Sequence, residues 1–155
     1  MERMIVVVAM SLLAVSGCRA QGGPMDAAQL TELGTRYAAA WSSQNAASLS
    51  ALYAEGGSLR VNQADPAVGR TAITAKAQGF MTAFPDMVVR MDETIPSQDG
   101  AVFHWTWTGT NTGPGGTGRA VRISGYEEWT LDADGLIVES KGHFDEAEYR
   151  SQVGD

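Results

Sequence analysis

The hydrophobic period of the chain changes once, at Pro85, and that change limits the folds open to it. Upstream, apolar residues recur at helical steps. Leu30, Leu33, Tyr37 and Trp41 share one face of a helix predicted over residues 26–42, with Asp26 as its N-cap. A second helix is predicted over 46–54, capped by Asn45, ended by Gly56-Gly57 and apolar along Leu49, Leu52 and Tyr53. Residues 58–62 read as a short strand. A third helix is expected over 71–83, with Ile73, Ala77, Phe80 and Phe84 inward and Pro85 as its stop. Downstream the pattern alternates, and 87–95, 101–110, 120–131 and 136–144 read as strands. Asp99-Gly100 and Asp134-Gly135 are hairpin-type turns. In the second of these strands Phe103, Trp105 and Trp107 share one face, while His104, Thr106 and Thr108 share the other. Helices first and an antiparallel meander afterwards indicate an α+β domain, helices packed on a sheet.

Composition removes several classes of function. At 155 residues the chain has the length of one domain, and 44% apolar content supports a core. The net charge of −7 comes without a basic run or stripe, which excludes a nucleic-acid role. Two histidines and one cysteine give no metal cluster, and no cofactor is expected. The glycine-rich run 113–118 joins two strands rather than a strand to a helix, so it reads as a hairpin loop at a cavity rim and not as a phosphate cradle. No serine nucleophile elbow is present.

Four groups of residues carry a family resemblance: Phe84-Pro85-Asp86, Gly109-Thr110-Asn111-Thr112-Gly113 with Thr117-Gly118-Arg119, the Asp132 to Gly135 turn, and His143-Phe144-Asp145. Their order resembles the SnoaL-like polyketide cyclases, a branch of the cone-shaped superfamily of nuclear transport factor two and ketosteroid isomerase. The resemblance covers roughly residues 26–153. It implies a strongly curved antiparallel sheet wrapped around the N-terminal helices, with an apolar cavity open at one end. It also implies a homodimer formed through the outer sheet face, with His104, Arg122 and Glu128 as interface candidates. Two positions depart from the family pattern: Asn111 stands where histidine is common, and Lys141 where tryptophan is common. Asp86 matches the pattern and is expected to hold backbone in the turn from helix to strand.

The resemblance makes Asp145 the candidate acid/base, since one carboxyl group in an apolar pocket has its pKa raised toward working pH. The residues leave a second role open, because Asp145-Glu146-Ala147-Glu148 also reads as the capped start of a terminal helix. His143 is the candidate partner of Asp145, with a solvated strand end as the alternative. Glu128 is a second candidate acid/base, sharing a face with Tyr126, whereas Glu127 and Trp129 fall on the other; a solvent-facing or subunit-contact role is the alternative. Candidate pocket walls are Tyr37, Trp41, Phe84, Trp107, Tyr126 and Trp129. Two function classes follow. One is a cyclase- or isomerase-type enzyme acting on a small hydrophobic carbonyl compound. The other is a binding or interaction module that uses the same cavity or sheet without catalysis.

The first residues read as an export signal. Arg3 supplies a basic start, and residues 4–13 form an apolar run too short to span a bilayer. Val15-Ser16-Gly17-Cys18 resembles a bacterial lipobox, and Cys18 is the sole cysteine, which fits lipidation better than disulfide formation. The expected organisation is a signal peptide over 1–17, a lipidated tether over 18–25 and the domain over 26–155. The expected location is the bacterial cell envelope, anchored by lipid on the extracytoplasmic side of a membrane. A secreted or periplasmic soluble form is the alternative.

Overall fold

The structure is a computed structural model and describes residues 24–154. Cys18, the signal segment and most of the tether lie outside the described residues. The element order is α1 (Ala27–Ser42), α2 (Ala46–Ser50), β1 (Tyr53–Val61), β2 (Ala67–Val68), α3 (Arg70–Ala83), β3 (Val88–Pro96), β4 (Gly100–Thr110), β5 (Ala120–Leu131), β6 (Ile137–Phe144) and α4 (Glu146–Val153). One curled six-stranded sheet runs in the order β2-β1-β6-β5-β4-β3. The four strands after Pro85 form the expected antiparallel meander. The sheet is not antiparallel throughout, because β1 pairs with β6 in parallel.

Local chemistry explains most boundaries. Asp26 accepts from the Gln29 backbone N–H at 2.9 Å, and the Gln29 side chain accepts from the Asp26 N–H at 2.9 Å, a reciprocal cap that starts α1. α1 is then fastened to β3 at its far end, where Ser42 Oγ accepts from the Val89 N–H at 2.9 Å. Asp86 receives the backbone N–H of Thr110 at 2.6 Å and its hydroxyl at 2.7 Å, so it ties the α3–β3 turn to the end of β4. In the β5–β6 turn Asp132 Oδ1 accepts from Asp134 and Leu136 N–H, and Gly135 takes φ +76°. β3 carries an irregularity between Met91 and Glu93 that bends it beside β4.

The region after α2 departs from expectation. The second helix ends at Ser50, Asn45 makes no capping bond, and Gly56-Gly57 lie inside β1 rather than closing a helix. Tyr53 decides this. It pairs with Ile137, is fully buried, and its hydroxyl bonds that of Tyr37. Long-range pairing outweighs the helical spacing of Leu49, Leu52 and Tyr53.

The core gathers on the concave side. Phe103 stacks on Trp129 with ring centroids 4.8 Å apart, and Tyr37 from α1 meets both rings edge-on at 5.4 and 4.9 Å. Such ring pairs add about 0.5–1.5 kcal/mol each beyond the area they bury. α1 thus runs beside β3 and reaches the rings of β4 and β5 through Tyr37, one of the residues that the helical spacing had aligned.

Gly57 gives a direct test of the β1–β6 junction. A Cβ there would stand 2.7 Å from the Ile137 carbonyl oxygen and 3.0 Å from that of Ala54, both backbone. Gly57→Ala is expected to lower unfolding stability by about 1–3 kcal/mol, as overpacking does. Urea unfolding reads this, and an unchanged midpoint would show that the junction yields freely.

Candidate functional site

A cavity of about 60 Å³ opens on the concave side. Trp41 of α1, Phe80 of α3, Trp105 and Trp107 of β4 and Phe144 of β6 supply much of its wall. Glu127 of β5 is the one titratable residue in that lining. Strand alternation puts it there. Val121, Ile123, Glu127 and Trp129 are buried, whereas Arg122, Ser124, Tyr126 and Glu128 are exposed.

Three elements supply donors to the Glu127 carboxyl group. Tyr37 of α1 donates its hydroxyl to Oε2 at 2.8 Å, Trp129 of β5 donates its indole N–H to Oε2 at 3.1 Å, and Ser140 of β6 donates its hydroxyl to the same oxygen. The Tyr37 proton is committed to Glu127, so Tyr53 donates to the Tyr37 oxygen across 2.8 Å. Oε2 is thereby saturated, and Oε1 takes none of these bonds. Burial raises the Glu127 pKa above the ordinary 4.5, and this outweighs the lowering by Ser140, Tyr37, Trp129 and His143. Burial and the nearby Glu127 charge push Tyr37 and Tyr53 well above 10, so both remain neutral donors.

The residues singled out from sequence divide between two faces. Trp41 and Trp107 line the cavity. Tyr37 and Trp129 stand behind Glu127 and hold it, and Phe84 is buried edge-on to Trp107 at 4.8 Å. Tyr126, expected as a wall, is 39% exposed on the opposite face. There its ring stacks on His143 at 4.7 Å, and His143 Nε2 lies 2.9 Å from Glu128 Oε2. His104 packs against Tyr126 at 5.8 Å on this outer face. Asp145 is exposed just past the end of β6, so it does not continue the strand face of His143. Its Oδ1 accepts from the Glu148 N–H at 2.9 Å and caps α4. The cavity lining contains none of Asp145, His143 and Glu128.

Glu127 is a candidate site residue that the sequence does not single out. The signal was present in the alternation, because Glu127 shares the face of Trp129, itself a predicted wall. A carboxylate inside a strand is ordinarily on the solvent side. Two of its three donors, Tyr37 and Ser140, are distant in sequence.

A family model described as a SnoaL-like domain matches residues 35–140. The chain belongs to the SnoaL-like domain family. A search of curated protein sequences gives no match. Among solved structures, a putative SnoaL-like polyketide cyclase from Jannaschia sp. CCS1 superposes with a TM-score of 0.72 at 18% identity, covering 81% of this chain and 92% of its own. TsrD from Streptomyces laurentii gives 0.72 at 19%, covering 84% and 98%. A protein of ketosteroid isomerase-like fold from Catenulispora acidiphila DSM 44928, solved in complex with trimethylamine, gives 0.71 at 17%, covering 79% and 92%. At these identities the likeness is one of fold.

The buried carboxyl group makes the stability of this SnoaL-like domain depend on pH. The Glu127 pKa is higher folded than unfolded, so its proton favours folding. That contribution is complete below pH 4.5 and is lost as pH rises through the elevated folded value. Urea midpoints are therefore expected to fall from pH 4.5 toward neutrality, and to fall less in Glu127→Gln. Asp86 acts in a separate window: its pKa is lowered by the two Thr110 bonds, so its contribution is lost only as pH drops below 3.8. Parallel pH profiles for wild type and Glu127→Gln would contradict the assignment.

Proposed function

We propose that the cavity takes a small hydrophobic carbonyl compound and that Glu127 moves a proton to or from it, in a reaction of the cyclase or isomerase type. The observation that carries this is the position of Glu127, a lone titratable group among aromatic walls. Burial makes its carboxylate a better base than an exposed one, and three donors on Oε2 leave Oε1 to meet the ligand. The acid/base role in this reading goes to Glu127 rather than to Asp145, which caps α4 and lies outside the cavity lining. The fold neighbours include an epoxide hydrolase/cyclase-like enzyme with a role in pyran ring formation, at a TM-score of 0.68. The cavity is small, so the enclosed part of a substrate has few heavy atoms.

A second reading has its own observation. Aromatic faces around one carboxylate also suit an alkylammonium ion, and the Catenulispora protein was solved with trimethylamine.

Deuterium exchange into the α-positions of cyclopentanone, followed by proton NMR in D2O, tests the proton-transfer role without knowledge of the natural substrate. The protein is expected to accelerate exchange. Glu127→Gln should lose about 10²-fold or more of that acceleration, while Asp145→Asn should keep it. Equal rates for wild type and Glu127→Gln would remove Glu127 from the reaction.

We also propose that the domain works on the extracytoplasmic side of a membrane, tethered through Cys18. The support is Val15-Ser16-Gly17-Cys18 and the lack of any other cysteine. Among the described residues no helix is long and apolar enough to cross a membrane. Radiolabelled palmitate fed to expressing bacteria should enter the wild-type chain and be absent from Cys18→Ser; equal labelling would refute the anchor.

A further inference from the structure

The chain has four tryptophans, and the fates of their indole N–H groups differ. Trp129 donates its indole N–H to Glu127 at 3.1 Å. Trp105 and Trp107 are buried, at 8% and 5% exposure, and among the described residues neither Nε1 has a hydrogen-bond partner. Both nitrogens are closed to water in this conformation. A buried donor without an acceptor costs about 1–3 kcal/mol. Two such donors lie two residues apart on one face of β4, about 7 Å along the strand, and both rings line the same cavity.

Packing alone does not call for an indole at these places. Phe103 fills the next inward position of the same strand with an aromatic ring and no donor. The β5 residue opposite Trp105 is Gly125, where a Cβ would meet the His143 backbone oxygen of β6 at 2.3 Å and the Trp105 ring at 2.6 Å.

We infer that the N–H groups of Trp105 and Trp107 are the oxygen-binding donors of the cavity, and that its ligand is a carbonyl compound bearing an α-hydrogen rather than an amine. This deepens the proposed function and rests on Glu127 as the proton-transfer group. The step balances within the site. The α C–H bond breaks, its proton goes to Glu127 Oε1, and the electron pair moves onto the carbonyl oxygen. The resulting enolate accepts from the two indoles, which turn toward it and gain the partners they lack. Return of the proton to the same carbon or to a conjugated one restores the carboxylate. An ammonium ion would pair with Glu127 and leave both indoles unpartnered, so the two ligand classes give opposite indole signatures.

A proton–nitrogen correlation spectrum of the protein reads those signatures without turnover. Its four indole signals are assigned by replacing each tryptophan in turn with phenylalanine. Cyclopentanone is expected to move the Trp105 and Trp107 signals downfield in a saturable way and to leave Trp129 in place, whereas trimethylammonium is expected to move neither. Trp105→Phe and Trp107→Phe should each slow deuterium exchange about 100-fold, as loss of an oxyanion donor does, with the Glu127→Gln pH comparison unaffected. Three results would each overturn the inference: no saturable indole shift with cyclopentanone, shifts confined to Trp41 or Trp129, or saturation by trimethylammonium instead. Failure of the acid/base reading looks different, because exchange would then be indifferent to Glu127→Gln whatever the indoles do.

Discussion

The burial of one carboxyl group organises the concave side of this domain. Glu127 reaches the cavity because β5 alternates, and it is tolerated there because α1, β5 and β6 each contribute a donor to the same oxygen. An unpartnered buried carboxylate would cost several kcal/mol. The donors therefore set the positions of the elements that bear them: α1 must present Tyr37, and β6 must run at the register that places Ser140 beside β5. Tyr53 extends the same requirement to β1, since its hydroxyl completes that of Tyr37. The aromatic stack of Phe103, Trp129 and Tyr37 then walls off this polar knot from solvent.

Much of the architecture was legible in the sequence because it depends on local rules. The meander after Pro85, the Asp26 cap, the Asp134-Gly135 turn and the inward face of Phe103, Trp105 and Trp107 all follow from periodicity or short-range hydrogen bonding. What was not legible depends on partners far along the chain. The early end of α2 and the placement of Gly57 within β1 are imposed by pairing with β6, which no local pattern announces.

The site shows the same division more sharply. Family resemblance directed attention to Asp145, His143 and Glu128, and the structure places these at a helix cap and on the outer sheet face. Trp41 and Trp107 line the cavity, while Tyr37 and Trp129 touch the carboxyl group from behind. The neighbouring pair Glu127 and Glu128 illustrates why. Two identical side chains in sequence have opposite environments, one buried at 6% exposure and one in solvent. Strand alternation separates them, and the tryptophan two residues on marks which of the two is inside.

The parallel pairing of β1 with β6 has a consequence for how the molecule is completed. It joins residues near position 53 to residues near 137, the kind of contact that carries a large loop-closure entropy and slows folding. The β3–β4 and β4–β5 pairings can form earlier, but β1 has no partner to hold Tyr53 beside Tyr37 until β6 has docked. The polar knot is thus finished by β6, which brings Ser140. A nascent molecule lacking that strand would hold Glu127 with its Ser140 donor missing, and the most expensive group in the core would be the last to be satisfied.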